Sequence, residues 1–164
     1  MQTSASLTRS VAVVIASIAL AASLHAQMPI PYGAPISLEH AKAVAAVAVA
    51  EAQKNNWTMA VTIVDPNGDL VFFEKLDGTQ LGSIDLSIDK ARSAARFKRP
   101  TKTYEDAVAG GGVGLRILKV PGAMPVEGGI PLVENGKIIG AIGVSGGQSS
   151  QDGICATAAA ATVH

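Results

Sequence analysis

Apolar and polar positions along this chain fall into short blocks of different period. Leu38 to Asn55 holds strong helix formers with no Gly or Pro, and its middle, Ala41 to Ala52, is Ala and Val almost all round, interrupted by Lys42 and Glu51. A helix apolar on most sides is usually buried on more than one of them, and Ser37 is a fair N-cap for it. Met59 to Asp65 is short and β-branched, which predicts a strand. Pro66-Asn67-Gly68-Asp69 predicts a turn, because Pro presets φ and Gly tolerates positive φ. Leu70 to Leu76 then returns as the second strand of a hairpin, and Asp77-Gly78 turns the chain again.

The period changes to 3.6 after that turn. Ile84, Ile88, Ala91 and Ala95 recur every three or four residues and predict one buried face of a helix from Ile84 to Phe97, capped by Ser83. Asp85 and Asp89 lie early in it and Arg92 and Arg96 late, as the helix dipole favours. Pro100 ends it, and Thr103 is placed to cap a short third helix to Ala109. Gly110 to Gly114 breaks the pattern and reads as a flexible loop. Ile130 to Glu134 and Lys137 to Ser145 flank Asn135-Gly136, the strongest short hairpin signal in the chain. Ser150 to Val163 is Ala-rich and predicts a final helix. The expected order is α-β-β-α-α-β-β-α: an α/β domain of the α+β type, with a mainly antiparallel sheet of about five strands and helices packed on it.

Residues 1–26 stand apart. Arg9 in a polar start, an apolar run from Val11 to Ala22, and Ala26 ahead of Gln27 follow the order of a secretory signal peptide. The run is shorter than the roughly 20 apolar residues needed to span a bilayer. The reading is a leader at 1–26 and one domain at 27–164, periplasmic or secreted, with no membrane attachment after cleavage. Pro29, Pro31 and Pro35 make the start of that domain an extended arm.

Composition then narrows the function. Of 164 residues 48% are apolar and 16% charged, enough to bury a core. Lys plus Arg equals Asp plus Glu at 13 each, and aromatics are 4%, so neither bulk charge nor base stacking points to nucleic acid. One Cys excludes an intramolecular disulfide, a Cys-rich zinc site and a CxxCH haem attachment. Neither His40 nor His164 has a partner at metal spacing, and no metal site is expected. Gly110, Gly112 and Gly114 fail the dinucleotide pattern because position 117 is Ile. No GxSxG is present. Cys155, on the last helix, reads as a buried thiol or, in an oxidising compartment, a partner in an intermolecular disulfide. The basic run Arg92, Arg96, Lys98, Arg99 and Lys102 reads either as a solvated helix end or as an anion-binding patch.

Glu127-Gly128-Gly129-Ile130-Pro131-Leu132 leads into Asn135-Gly136-Lys137-Ile138-Ile139-Gly140-Ala141-Ile142-Gly143-Val144-Ser145-Gly146-Gly147, followed by Gln151-Asp152. This run resembles the signature of the GlcG/HbpS-like family, often called haem-binding or haem-degrading. Asp65 to Leu70, Leu76-Asp77-Gly78, and Lys90-Ala91 with Ala94-Ala95 and Pro100-Thr101 are similar to its earlier segments, so the resemblance spans Leu38 to Val163. It implies a small α/β domain with an antiparallel sheet, usually oligomeric, and haem as a ligand of some members. The chain departs from the pattern at Gly153, where a carboxylate is common.

Three functions stay open on this reading. One is an exported module binding a small ligand, with haem or a related tetrapyrrole leading. Another is an enzyme acting on a small carbonyl or hydroxy-acid compound, with Glu127 or Asp152 as acid/base and Lys90 as an anion clamp. The third is a structural oligomer without ligand. Because the start of one hairpin strand lies beside the end of its partner, Lys90, Glu127, Gly128, Gly129, Ser145, Gly146 and Asp152 are expected to line one cleft. Lys90 is equally able to form a structural salt bridge with Asp89 or a distant acid. Small Ala side chains on the first and last helices permit close approach, and their apolar faces predict a homo-oligomer.

Overall fold

The computed structural model describes residues 30–164, so the predicted leader lies outside the described residues. Helix α1 (Leu38–Lys54) is capped by Ser37, whose hydroxyl accepts from His40 N. The hairpin β1 (Ala60–Val64) and β2 (Leu70–Lys75) follows. Helices α2 (Ser83–Phe97) and α3 (Lys102–Ala109) come next, then a 3-10 segment (Gly112–Lys119). The second hairpin, β3 (Gly129–Glu134) and β4 (Lys137–Ser145), turns on Asn135 at φ 50° and Gly136 at φ 73°. Two central residues at positive φ are what a two-residue Asn-Gly hairpin needs. Helix α4 (Ser149–Ala160) closes the fold.

The sheet is antiparallel in the order β2-β1-β4-β3, which puts β1 and β4, the two most apolar strands, in the middle. It has four strands rather than about five. The arm supplies only a single parallel bridge, Tyr32 to Ile138, where β1 no longer covers β4. Helices α1 and α4 cover one face. There Ala41, Val44, Ala45, Ala48, Cys155, Ala156 and Ala159 pack against Val61, Ile63, Ile142 and Val144. Helix α2 covers the other face, against Thr62, Val64, Ala141, Gly143 and Ser145.

Three local expectations need correction. On α2 the buried residues are Ser83, Ser87, Lys90, Ala91, Ser93, Ala94 and Ala95, while Ile84 and Ile88 are only half-buried. Gly143 is the reason. A Cβ there would collide with Ser87 O and lie 2.6 Å from Ala91 N, so its absence lets the α2 backbone sit directly on β4. At such close approach small side chains face the sheet and the isoleucines swing to the flanks. Ser83 does not cap α2; its hydroxyl bonds Ser145 Oγ at 3.1 Å. Thr101 rather than Thr103 precedes α3, and the Gly110–Gly114 stretch runs straight into the 3-10 segment instead of forming an open loop.

Candidate functional site

Lys90 is the largest fully buried side chain among the described residues. It leaves α2 near the start of β3 and ends between the two helical layers. Its ammonium donates to Asp152 Oδ2 at 2.6 Å and to Val144 O at 3.0 Å. Asp152, in the first turn of α4, also accepts from Gly147 N at 3.1 Å through Oδ1. Gly128 makes this meeting possible. It sits at φ 123°, and a Cβ there would stand 2.6 Å from Val144 O and 3.0 Å from Lys90 Nζ. Gly129 does the same for the backbone, since a Cβ there would collide with Lys90 O. The hairpin sets Gly128 and Gly129 beside Val144 and Gly143 rather than beside Ser145 and Gly146: Val144 N donates to Gly128 O, and Gly129 stands opposite Gly143.

Burial pushes the Lys90 ammonium below the usual lysine range, with Asp152 pulling it back up. Burial likewise pushes the Asp152 carboxyl up, with Lys90 pulling it down. An ion pair removed from water on both sides costs desolvation that only close geometry and further hydrogen bonds offset. Here the distant acid of the structural salt bridge is Asp152, 62 residues from Lys90.

The other predicted residues lie in separate surroundings. Ser145 is buried and bonded to Ser83, on the α2 face. Gly146 packs on Thr58 O and Met59. Glu127 is the member that lines an open cavity, about 420 Å³, with Glu51, Gly153, Ile154, Thr157 and Ala158. Its carboxylate lies over Gly153, where a Cβ would collide with Glu127 Oε1. Burial raises the Glu127 carboxyl above its ordinary range; Lys102 opposes this, while Glu105 and Asp106 add to it. Thus Lys90, Asp152, Gly128 and Gly129 come together in a closed node, and the Glu127 carboxylate stands outside it, against Gly153 at the open cavity.

Two residues outside the predicted site, Glu105 and Thr101, hold this region. Glu105 accepts from Glu127 N and from Ser149 Oγ, so one side chain of α3 ties the approach to β3 to the start of α4. Thr101 accepts from Gly129 N at 2.9 Å through its hydroxyl and donates its own N–H to Gly129 O. Only the Pro100-Thr101 pair gave a hint of this, as the exit from α2. Cys155 is fully buried, and burial pushes its thiol up to about 11. A second cavity, about 510 Å³, lies between α2 and residues 122–124, lined by Asp89, Arg92, Arg96, Gly122, Ala123 and Met124. Among the described residues no three His, Cys, Asp or Glu side chains are grouped to hold a metal ion, and no helix is long and apolar enough to cross a membrane.

The family model described as haem degrading protein HbpS-like matches residues 36–161, which contain both hairpins, the glycine node and all four helices. The chain belongs to the HbpS-like family. It is 39% identical to protein GlcG of Escherichia coli strain K12 over 110 residues, 67% of this chain and 81% of that one. Among solved structures, the PduOC–haem complex superposes with a TM-score of 0.71 at 29% identity, covering 79% of this chain and 96% of that one. A double mutant of Streptomyces reticuli HbpS superposes with a TM-score of 0.73 at 28% identity, covering 80% and 89%.

Proposed function

We propose that this HbpS-like protein is an exported, homo-oligomeric module that binds a small ligand, with haem or a related tetrapyrrole as the leading ligand. The observation that carries the reading is the likeness to PduOC, solved as a haem complex and matched over nearly its whole length. The family's description points the same way. Export rests on the sequence of residues 1–26.

The donor set fits a haem held at the surface better than one sunk in a single chain. Neither the Glu127 cavity nor the Arg92–Arg96 cavity is lined by His or Cys. Met59 and Cys155 are fully buried in the α1/α4 layer, where a macrocycle has no entry. His40 is different: it sits in the first turn of α1 with its side chain 35% exposed, and its Nδ1 lies 3.8 Å from Glu134 Oε1. Bound haem would supply an iron centre for oxygen and electron chemistry; His40 would be the residue that holds it, with the Glu134 carboxylate beside the ring. The apolar faces of α1 and α4 pack against each other and the sheet. The apolar surface available to a second copy is instead Val113, Leu115, Leu118 and Val120, all exposed on and after the 3-10 segment.

The test is titration of haemin into the mature protein, followed at the Soret band, with native mass spectrometry for subunit count and mature N-terminus. A shifted Soret band in wild type, altered in His40→Ala, is expected. A wild type that leaves the band of free haemin unchanged overturns the ligand. A shift identical in wild type and His40→Ala overturns the role of His40. A monomer at micromolar concentration overturns the assembly, and an intact Met1 start in the exported fraction overturns the leader.

One observation favours an enzyme acting on a small carbonyl or hydroxy-acid compound. Glu127 carries a carboxyl raised above its ordinary range at the wall of a cavity, the direction in which a general acid is tuned. Lys90, closed into its pair with Asp152, is not exposed to serve there as an anion clamp.

A further inference from the structure

The basic run at the end of α2 separates into two groups. Lys98 lies over the Tyr32 ring at 4.1 Å, Arg99 over the Tyr104 ring at 5.7 Å, and Lys102 is paired with Asp106. Arg92 and Arg96 have no such engagement: among the described residues no carboxylate lies within 4.0 Å of either guanidinium. Both line the 510 Å³ cavity beside α2.

Both arginines are also held in place. Arg96 Nε donates to Asn67 O at 2.8 Å and Arg92 Nε to Gly68 O at 3.2 Å. The turn that receives them is itself fixed, because Asp65 Oδ1 accepts from Asn67 N at 2.8 Å and Asp69 N at 3.0 Å. Gly68 sits at φ 88°, and a Cβ there would meet Arg96 Nε at 2.8 Å, so the turn is shaped around that side chain. The opposite wall is pinned by Met124 N donating to the buried Ser93 Oγ at 3.0 Å. With each Nε bound to a carbonyl, the two Nη groups of each guanidinium remain as a fork for a carboxylate. Residues four apart on a helix present their side chains about one turn from each other. Two fixed forks at that spacing suit two carboxylates of one ligand.

We propose that the cavity between α2 and residues 122–124 binds a ligand through a pair of carboxylates, one on Arg92 and one on Arg96. The volume holds a short-chain di- or tricarboxylate with a few waters, and it lies within the usual range of small-molecule sites. Asp89, on the same wall, repels a surplus anion and accepts from a ligand hydroxyl, which favours a hydroxy-acid over a plain diacid. The same pair of carboxylates is found in the propionates of a tetrapyrrole, so the two sources need separate arms.

Calorimetric titration with malate, citrate, succinate and acetate, and optical titration with haemin, would be run on wild type, Arg96→Gln and Arg92→Gln. Malate or citrate binding at least tenfold weaker in both variants, with acetate binding no better than background, supports the site. If haemin affinity falls in the same variants and citrate competes with haemin, the pair of carboxylates belongs to the tetrapyrrole and the site is again supported. Because both arginines also hold the 66–69 turn, Ala123→Glu is the second variant. It sets a carboxylate against the guanidiniums without removing their bonds to Asn67 and Gly68, and it is expected to abolish diacid binding at an unchanged melting temperature. Wild type that binds neither malate nor citrate, with haemin affinity equal in all variants, overturns the proposal whatever the outcome for haem itself.

Discussion

On one face of the sheet Val61, Ile63, Ile142 and Val144 meet α1 and α4 through aliphatic side chains alone, while on the other Thr62, Gly143 and Ser145 meet α2 through hydroxyls and bare backbone. The two faces alternate along the same two central strands, β1 and β4, so the contrast is one of odd and even positions rather than of regions of sequence. The aliphatic face is held by area removed from water, at about 25 cal/mol per Å². The α2 face buries four polar side chains of one helix, Ser83, Ser87, Lys90 and Ser93. Each is satisfied: Ser87 by Thr62 at 2.8 Å and by Ile84 O, Ser83 by Ser145, Ser93 by Met124 N, and Lys90 by Asp152 and Val144. A hydrophobic face tolerates volume-conserving exchange. A face built from satisfied polar groups does not, because each lost partner strands a buried group. The polar face therefore fixes the position of α2, and with it Arg92, Arg96 and Lys90.

The largest expected effect breaks the polar face at its deepest point. Lys90→Met leaves Asp152 buried without its cation and is expected to lower stability by about 3–5 kcal/mol in chemical denaturation at pH 7. Adding Asp152→Leu should recover most of that loss, since a buried pair replaced as a whole is often near neutral. The loss in Lys90→Met should also shrink on acidification, because the unpaired, buried Asp152 takes up a proton before the unfolded chain does. A single variant no less stable than wild type would mean that the pair carries no part of the α2 anchorage.

A middle-sized effect tests the close approach. Gly143→Ala drives a Cβ into Ser87 O and to 2.6 Å from Ala91 N, both backbone atoms of α2, and is expected to cost about 1–3 kcal/mol or more. Ile63→Val, on the aliphatic face of the neighbouring strand, should cost only about 0.5–1.5 kcal/mol. Equal losses in thermal or urea melts would remove the distinction between the faces.

These two faces also explain what the sequence made legible. Both hairpins were readable because their turns are local chemistry: Gly68 in the first, and Asn135 and Gly136 in the second, sit where positive φ is required. Helix α1 was readable because Ser37 and the run of Ala and Val need no distant partner. The rotation of α2 was not, since Ile84 and Ile88 satisfy a 3.6-residue period as well as the true face does. What decides between them is Gly143 and Thr62, on strands outside that helix. Hairpin geometry brought Gly128 and Gly129 to the end of β4, but the burial of Lys90 and its pairing with Asp152 depend on how α2 and α4 pack, which no spacing encodes. Glu105 carried no signal, because a single carboxylate on a short helix is ordinary surface composition, and Thr101 was marked only through the Pro100-Thr101 exit from α2. The 3-10 segment was hidden behind three consecutive glycines, which mark the end of one helix and encode no preference for another kind of turn after it.

The smallest effect sharpens the comparison at the point where the polar network reaches solvent. Glu127 has its backbone N–H bound by Glu105 and its carboxylate laid over Gly153, and burial holds its carboxyl above the unfolded value of about 4.5. A carboxyl raised in the folded state disfavours folding when it is ionised. Its unfavourable contribution is fully present at pH values above the folded pKa and fades as pH falls toward the unfolded value, where the folded form has already bound its proton. Glu127→Gln removes the charge in both states. The variant is therefore expected to melt slightly higher than wild type at pH 7, with the gap narrowing as pH is lowered to about 4.5. Lys102 pulls the other way on the same carboxyl, so Lys102→Met should widen the gap at neutral pH. A Glu127→Gln variant that melts below wild type at pH 7 and draws level with it in acid would reverse the sign. It would show that the ionised carboxylate is held by favourable charges and belongs to the stabilising network of Lys90 and Asp152, rather than to the open cavity beside it.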